Sequence, residues 1–233
     1  MRHRNAEFVS KQHAREIRRR ARQADSLDFF NLITGPDLLE TLEALLPENR
    51  ERKFPPTVTL AMFLGQILRA DGSCQNAVNE AIVNQLLSGV AAVSANTGGY
   101  CRARQRLPVQ MVRELARQTG ILMNKHTPQG WPWRGRHVKL TDGTTTLLPD
   151  TAENQARFPQ HGSQEAGAGF PLARLVCVMS LANGAVLDMA LGPYKGNGTG
   201  EYGLFRELLG CFVEGDVMLA DSYYCSYFLI AAL

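Results

Sequence analysis

The sequence has no two cysteines in a C-x-x-C arrangement. Its five cysteines, Cys74, Cys101, Cys177, Cys211 and Cys225, are odd in number and irregularly spaced. That excludes a disulfide framework or a zinc ribbon as the organising device and favours reduced, mostly buried thiols. No run approaches the roughly 18 apolar residues of a membrane span, so no membrane role is expected. The opening stretch, MRHRNAEFVSKQHAREIRRRARQ, is charged but has no apolar segment, which excludes a secretory signal. Glu7, Glu16 and a single serine argue against a transit peptide. A cytoplasmic protein fits these absences. Gly196, Gly198 and Gly200 match neither the dinucleotide fingerprint nor the Walker pattern, and read as a turn before a helix. The histidines show no ligand spacing, and no nucleophile elbow is present.

What is present is enough for a core. Apolar residues make up 45% of the 233 and charged residues 20%, as in an ordinary globular protein. The net charge of +3 is unevenly placed. Residues 1–22 carry Arg2, Arg4, Lys11, Arg15, Arg18, Arg19, Arg20 and Arg22 against Glu7 and Glu16, a local +6, which leaves the rest at −3. A basic arm on a slightly acidic body points to a polyanionic partner, with a solvated basic helix as the alternative.

The hydrophobic period divides the chain. Leu38, Leu39, Leu42, Leu45 and Leu46 share one helical face, with Pro36 as a start signal and Pro47 as a stop. Leu60, Phe63, Leu64, Ile67 and Leu68 repeat the pattern over 58–69. Ser73 caps a third helix with Ala77, Val78, Ile82, Leu86 and Leu87 as its stripe and Gly89 as its end. A fourth runs from about Pro108 to Lys125. HTPQGWPWRGR at 126–136 cannot continue a helix. After it the period becomes that of strands. Val138, Leu140 and Asp142 fall on one face of HVKLTDGTTTLL, with Lys139 and Thr141 on the other. LARLVCVMSL and GAVLDMAL flank Asn183-Gly184, a hairpin signal. Leu204, Phe205, Leu208, Leu209 and Phe212 mark a helix. DVMLAD is a short apolar run suited to a parallel strand, and SYYCSYFLIAAL a final helix.

The predicted organisation is a basic N-terminal arm at 1–25, a helical domain at 26–125, a linker at 126–136 and an α/β domain at 137–233. Strand, hairpin, helix, strand, helix gives an α+β or α/β sheet with an antiparallel edge and a parallel centre. Its chemistry rests on Asp142, within the first strand, and Asp221, at the carboxyl end of the last. Sites in open α/β sheets form at the carboxyl ends of strands. Two aspartates on neighbouring strands suit hard divalent cations acting on a phosphodiester. Each also has a plainer reading: Asp142-Gly143 as a turn, and Asp221 as a helix N-cap. Tyr100, Arg102, Arg104 and Arg106 place an aromatic ring among basic side chains, a pattern suited to nucleic acid or to a solvated helix.

The segments TDGTTTLLPDTAENQARFP, GFPLARLVCVMSLANGAVLDMALGPY and GEYGLFRELLGCFVEGDVMLADSYYCSYFLIAAL together resemble bacterial insertion-sequence transposases of the DDE class. These are the group whose last carboxylate lies in a Tyr-Arg-Glu-Lys signature. The match covers 137–233, and TGGYCRARQRLP at 97–108 resembles the same proteins' helical N-terminal region. The resemblance implies a helical N-terminal domain followed by a partial ribonuclease-H-like mixed sheet. It implies that Asp142 and Asp221 are catalytic and hold Mg2+ or Mn2+. It also implies DNA as the partner: transposon terminal inverted repeats and target DNA, with a homo-oligomer on DNA compatible. Arg15, Arg18, Arg19, Arg22, Tyr100, Arg102, Arg104 and Arg106 are the expected DNA contacts. Two departures stand out. Ser222 replaces the arginine that often follows the second aspartate, and no Tyr-Arg-Glu-Lys pattern follows Asp221. Glu201 and Glu207 precede Asp221 on an expected surface helix and are not assigned to the site. The expectation is a truncated, inactive transposase of low solubility, or a DNA-binding fragment that inhibits an intact one.

Overall fold

The computed structural model describes residues 35–44, 53–89, 91, 94–165, 167–196 and 198–231. The expected basic arm, with Arg15, Arg18, Arg19 and Arg22, lies outside the described residues, as do Leu45 and Leu46. The chain's contacts divide it into two units, Met1–Val112 and Arg113–Leu233. The division falls upstream of the 126–136 segment.

The first unit is helical. It contains α1 (Pro36–Ala44), α2 (Pro56–Leu68), α3 (Cys74–Leu87), α4 (Gly98–Gln105) and the start of α5 (Val109–Lys125). Pro56 opens α2, where its missing N–H costs nothing. Ser73 caps α3, its hydroxyl accepting the Asn76 N–H at 3.1 Å. Gly89 ends that helix with φ +71°, and its N–H returns to the Leu86 carbonyl at 3.1 Å. Phe54, Met62, Ala77, Val78, Tyr100 and Ala103 form the core. The predicted stripes of α2 and α3 hold in their first turns and fail in their last. Leu60 and Val78 are buried, whereas Ile67, Leu86 and Leu87 are exposed.

The second unit is built on a four-stranded sheet of order β3-β2-β1-β4. Its strands are β1 (Val138–Leu147), β2 (Leu172–Ser180), β3 (Val186–Pro193) and β4 (Val217–Leu219). β1–β2 and β2–β3 are antiparallel, while β1–β4 is parallel over three pairs, Val138 with Val217 to Leu140 with Leu219. The expected antiparallel edge is present, but the expected parallel centre is not: the central β2–β1 pairing is antiparallel, and the parallel pairing lies at the outer edge, where β4 joins β1. The mixed sheet with its helices is compatible with a transposase fold. The hairpin closes as its sequence predicts. Gly184 takes φ +72°, and Asn183 Oδ1 accepts the Ala185 N–H at 2.8 Å. Two short helices, α6 (Ala152–Arg157) and α7 (Glu201–Arg206), and a final turn, α8 (Tyr227–Ile230), complete the unit. α6 was not anticipated. Thr151 caps it, accepting the Asn154 N–H at 3.2 Å. The expected final helix is broken into a 3-10 turn, Ser222–Tyr224, and α8.

The sheet has two unlike faces. Register places Lys139, Thr141 and Gly143 of β1 beside Ser180, Val178 and Val176 of β2, and Val178 and Val176 beside Asp188 and Ala190 of β3. On this face Val176, Val178 and Ala190 pack with Leu204, Phe205, Leu208, Tyr224 and Leu229 in one core. The other face carries Leu140, Asp142, Leu175, Cys177, Met189, Leu191 and Leu219, alternate residues of the same strands. It stays partly open to solvent, with Leu191 and Leu219 exposed.

The alternation of β1 leaves open which face is covered, and Lys139 and Thr141 are the more deeply buried set. The Lys139 ammonium is satisfied there. It donates to the Asp216 carboxylate and to the Cys211 carbonyl, and lies 5.6 Å from the Phe212 ring centre. Asp188, also buried, accepts from Arg113 at 3.0 and 3.3 Å and pairs with Arg117 at 3.2 Å. Buried charges are tolerated where such partners exist. All five cysteines are free. Four are half-buried and Cys225 is exposed. Burial is the main cause that raises the Cys177 and Cys211 thiols. Among the described residues no helix is long and apolar enough to cross a membrane.

Candidate active site

Asp142 lies in the middle of β1 and is exposed. It is therefore not part of a turn. Asp142 Oδ1 accepts the Gly143 N–H at 2.8 Å. Asp221 follows β4 after one residue, Ala220, and is also exposed. It does cap, since its Oδ1 accepts the Tyr223 N–H at 2.9 Å at the start of the 3-10 turn. The parallel ladder ends at Leu140 and Leu219, with Asp142 and Asp221 each two residues further on. Each carboxylate keeps its second oxygen clear of these bonds. Both aspartates thus lie just beyond the end of the β1–β4 ladder, near enough to Tyr224 for each charge to act on its phenol.

Glu201, left out of the site by the sequence reading, is brought to its rear. An added Cβ on Gly143 would lie 2.6 Å from the Glu201 Cδ and 2.8 Å from its Oε2. The carboxyl group therefore occupies the space that a side chain at 143 would fill. Tyr224, 3% exposed, directs its hydroxyl to Glu201 Oε2 at 3.4 Å. Its ring lies 5.5 Å from that of Phe205 and 6.0 Å from that of Tyr202. Burial first, then the nearby charges of Glu201, Asp142 and Asp221, push the Tyr224 phenol above its ordinary range. The sequence signal for this contact is the Asp-Gly dipeptide within a strand, because glycine inside a strand often marks a close approach.

The donor set suits a hard divalent cation. Mg2+ prefers oxygen ligands and is commonly held by one or two carboxylates, with water and substrate phosphates completing its shell. Two carboxylates with one free oxygen each fit that pattern. Among the described residues, no group of three histidine, cysteine or acidic side chains converges as a metal cage, and Glu201 lies against Gly143 rather than in such a cage.

The helical unit places its expected DNA contacts differently from one another. Tyr100 has no exposed surface. Its hydroxyl donates to Gln66 Oε1 at 2.8 Å, and burial pushes its phenol up to about 12. As placed, it is a core residue and offers no open ring face for stacking, because its helix turns it onto α2 and α3. Arg104 is half-buried, 3.2 Å from the same Gln66 oxygen and 4.8 Å from the Phe63 ring centre. Arg102 and Arg106 are exposed.

No protein-family model matches the chain, and no solved structure matches it. Among curated proteins, it is similar to the transposase InsG for insertion sequence element IS4 of Escherichia coli (strain K12), at 28% identity over 183 residues. The aligned part is 78% of this chain and 40% of that protein, so the chain spans about two-fifths of the length of the relative it matches. That similarity supports a relation to insertion-sequence transposases.

Proposed function

We propose that the chain carries part of the DNA-cleaving centre of a DDE insertion-sequence transposase with a ribonuclease-H-like sheet. The reading rests most on one observation: Asp142 and Asp221 each lie two residues past the last pair of the parallel β1–β4 ladder, and both charges act on the same buried Tyr224 phenol. Similarity to a transposase over 78% of the chain supports it. Asp142 and Asp221 would hold Mg2+ or Mn2+ through their free carboxylate oxygens. When bound, such ions activate water and neutralise charge on a phosphodiester during in-line displacement. The chain's own contribution is to fix two carboxylates side by side on a sheet. Gly143 N–H and Tyr223 N–H each hold one oxygen and leave the other available. Cleavage at transposon ends and transfer to target DNA would belong to the longer protein. Metal binding is the property expected of this chain by itself.

Titration of the 233-residue chain with Mn2+, followed by the electron paramagnetic resonance signal of the free ion, tests this. D142N and D221N should each abolish saturable binding. Wild-type binding no stronger than that of D142N would remove the assignment. In a full-length protein, unchanged end cleavage after D142A or D221A would do the same.

A second reading, a non-catalytic DNA-binding fragment that inhibits an intact transposase, is favoured by exposed Arg102 on α4 and exposed Arg106 at its C-cap. Its signature is binding to transposon-end DNA that weakens steeply with salt.

A further inference from the structure

Asp142 and Gly143 are consecutive in β1, so their side-chain directions oppose. Asp142 faces the open side of the sheet. The Gly143 position faces the covered side, where Glu201 fills the place of the missing side chain. Tyr224 reaches the same carboxylate from the other aspartate-bearing strand end, three residues after Asp221. Glu201 therefore touches the backbone beside Asp142 and hydrogen-bonds the turn that begins at Asp221. Without it, only three residue pairs of ladder join β1 to β4, and none reaches the aspartates. Tyr224 is itself wedged by Phe205 and Tyr202, and the Tyr202 hydroxyl donates to the Tyr223 carbonyl. Glu201 opens α7, whose Leu204 and Phe205 are anchored in the core.

We infer that Glu201, clasped by Tyr224 and seated on Gly143, is a positioning residue that sets the separation of Asp142 and Asp221 from behind the sheet. This rests on the reading of the two aspartates as metal ligands. Glu201 itself is not a ligand: it lies on the covered side, away from their free oxygens. Its carboxyl group acts through shape and one hydrogen bond, both of which glutamine can reproduce.

The test is Mn2+ binding to the 233-residue chain, with circular dichroism melts on every variant. E201A and Y224F should each weaken Mn2+ about fivefold, the size of one lost hydrogen bond. The double variant should be no weaker than the worse single, because both remove the same contact. E201Q should stay within about twofold of wild type. G143A, which changes no ionisable group, should weaken binding as E201A does, because the new methyl group displaces the carboxyl. If E201A or G143A does not fold, Y224F and E201Q decide between them. Wild-type affinity in Y224F and E201A, with D142N still abolishing binding, overturns the positioning role and leaves the metal-site reading intact. So does a loss in E201Q equal to that in E201A, which would assign the effect to charge. If the wild-type chain does not bind Mn2+ above the D142N level, both the reading and the inference fail.

Discussion

Replacing Lys139 by methionine keeps the buried stem and removes the ammonium. The side chains of Lys139 and Asp216 are each 7% exposed. Asp216 would then keep only the Val213 N–H, at 2.8 Å, as a partner for its charge, and the Cys211 carbonyl would lose its lysine donor. Removing one member of a buried ion pair typically costs about 3–5 kcal/mol, against a total stability of about 5–15 kcal/mol for a domain. The loss should concentrate on β4, whose ladder to β1 has only three pairs. Urea unfolding followed by circular dichroism measures the total. Amide exchange at Val217–Leu219 measures the local part, which should lose protection before β2 does. Adding D216N removes the stranded charge while retaining an oxygen for the Val213 N–H. The double variant should recover about 2 kcal/mol of the loss. A K139M loss below about 1 kcal/mol, or a double variant no better than the single, would refute the view that this pair pins β4 to β1.

Other substitutions follow from the same structure. Thr141 is buried and its hydroxyl has no protein partner, so T141V should stabilise the chain by about 1 kcal/mol, read as a raised urea midpoint. Tyr100 is raised from 10.0 to about 12. Its stabilising contribution is complete below pH 10.0 and is lost as the pH climbs toward about 12, by up to about 2–3 kcal/mol. Y100F should flatten melting temperature against pH above 10, and an unchanged slope would contradict that assignment. Placing threonine at Leu191 and Leu219, both on the open sheet face, should reduce light scattering at matched concentration without lowering the melting temperature. R102A combined with R106A should lower the salt slope of DNA binding by about two if both contact phosphates.

The two sequence periods were enough to determine a helical first part and a sheet after it. The Asn183-Gly184 hairpin, the Ser73 cap, the strand position of Asp142 and the place of Asp221 past the end of β4 were legible because each depends on residues adjacent in sequence. Tertiary structure decided which face of β1 is buried. Lys139 is inside because Asp216, far away in sequence, supplies its counter-charge, and no local pattern encodes that pairing. It also decided that Tyr100 is core, since burial depends on how α4 meets α2 and α3. Glu201 looked like a surface residue because helical period alone cannot see a strand glycine opening space beneath it. Local sequence placed Asp142 within a strand and Asp221 at a strand's carboxyl end; only the parallel pairing of β1 with β4 brought those two strands side by side.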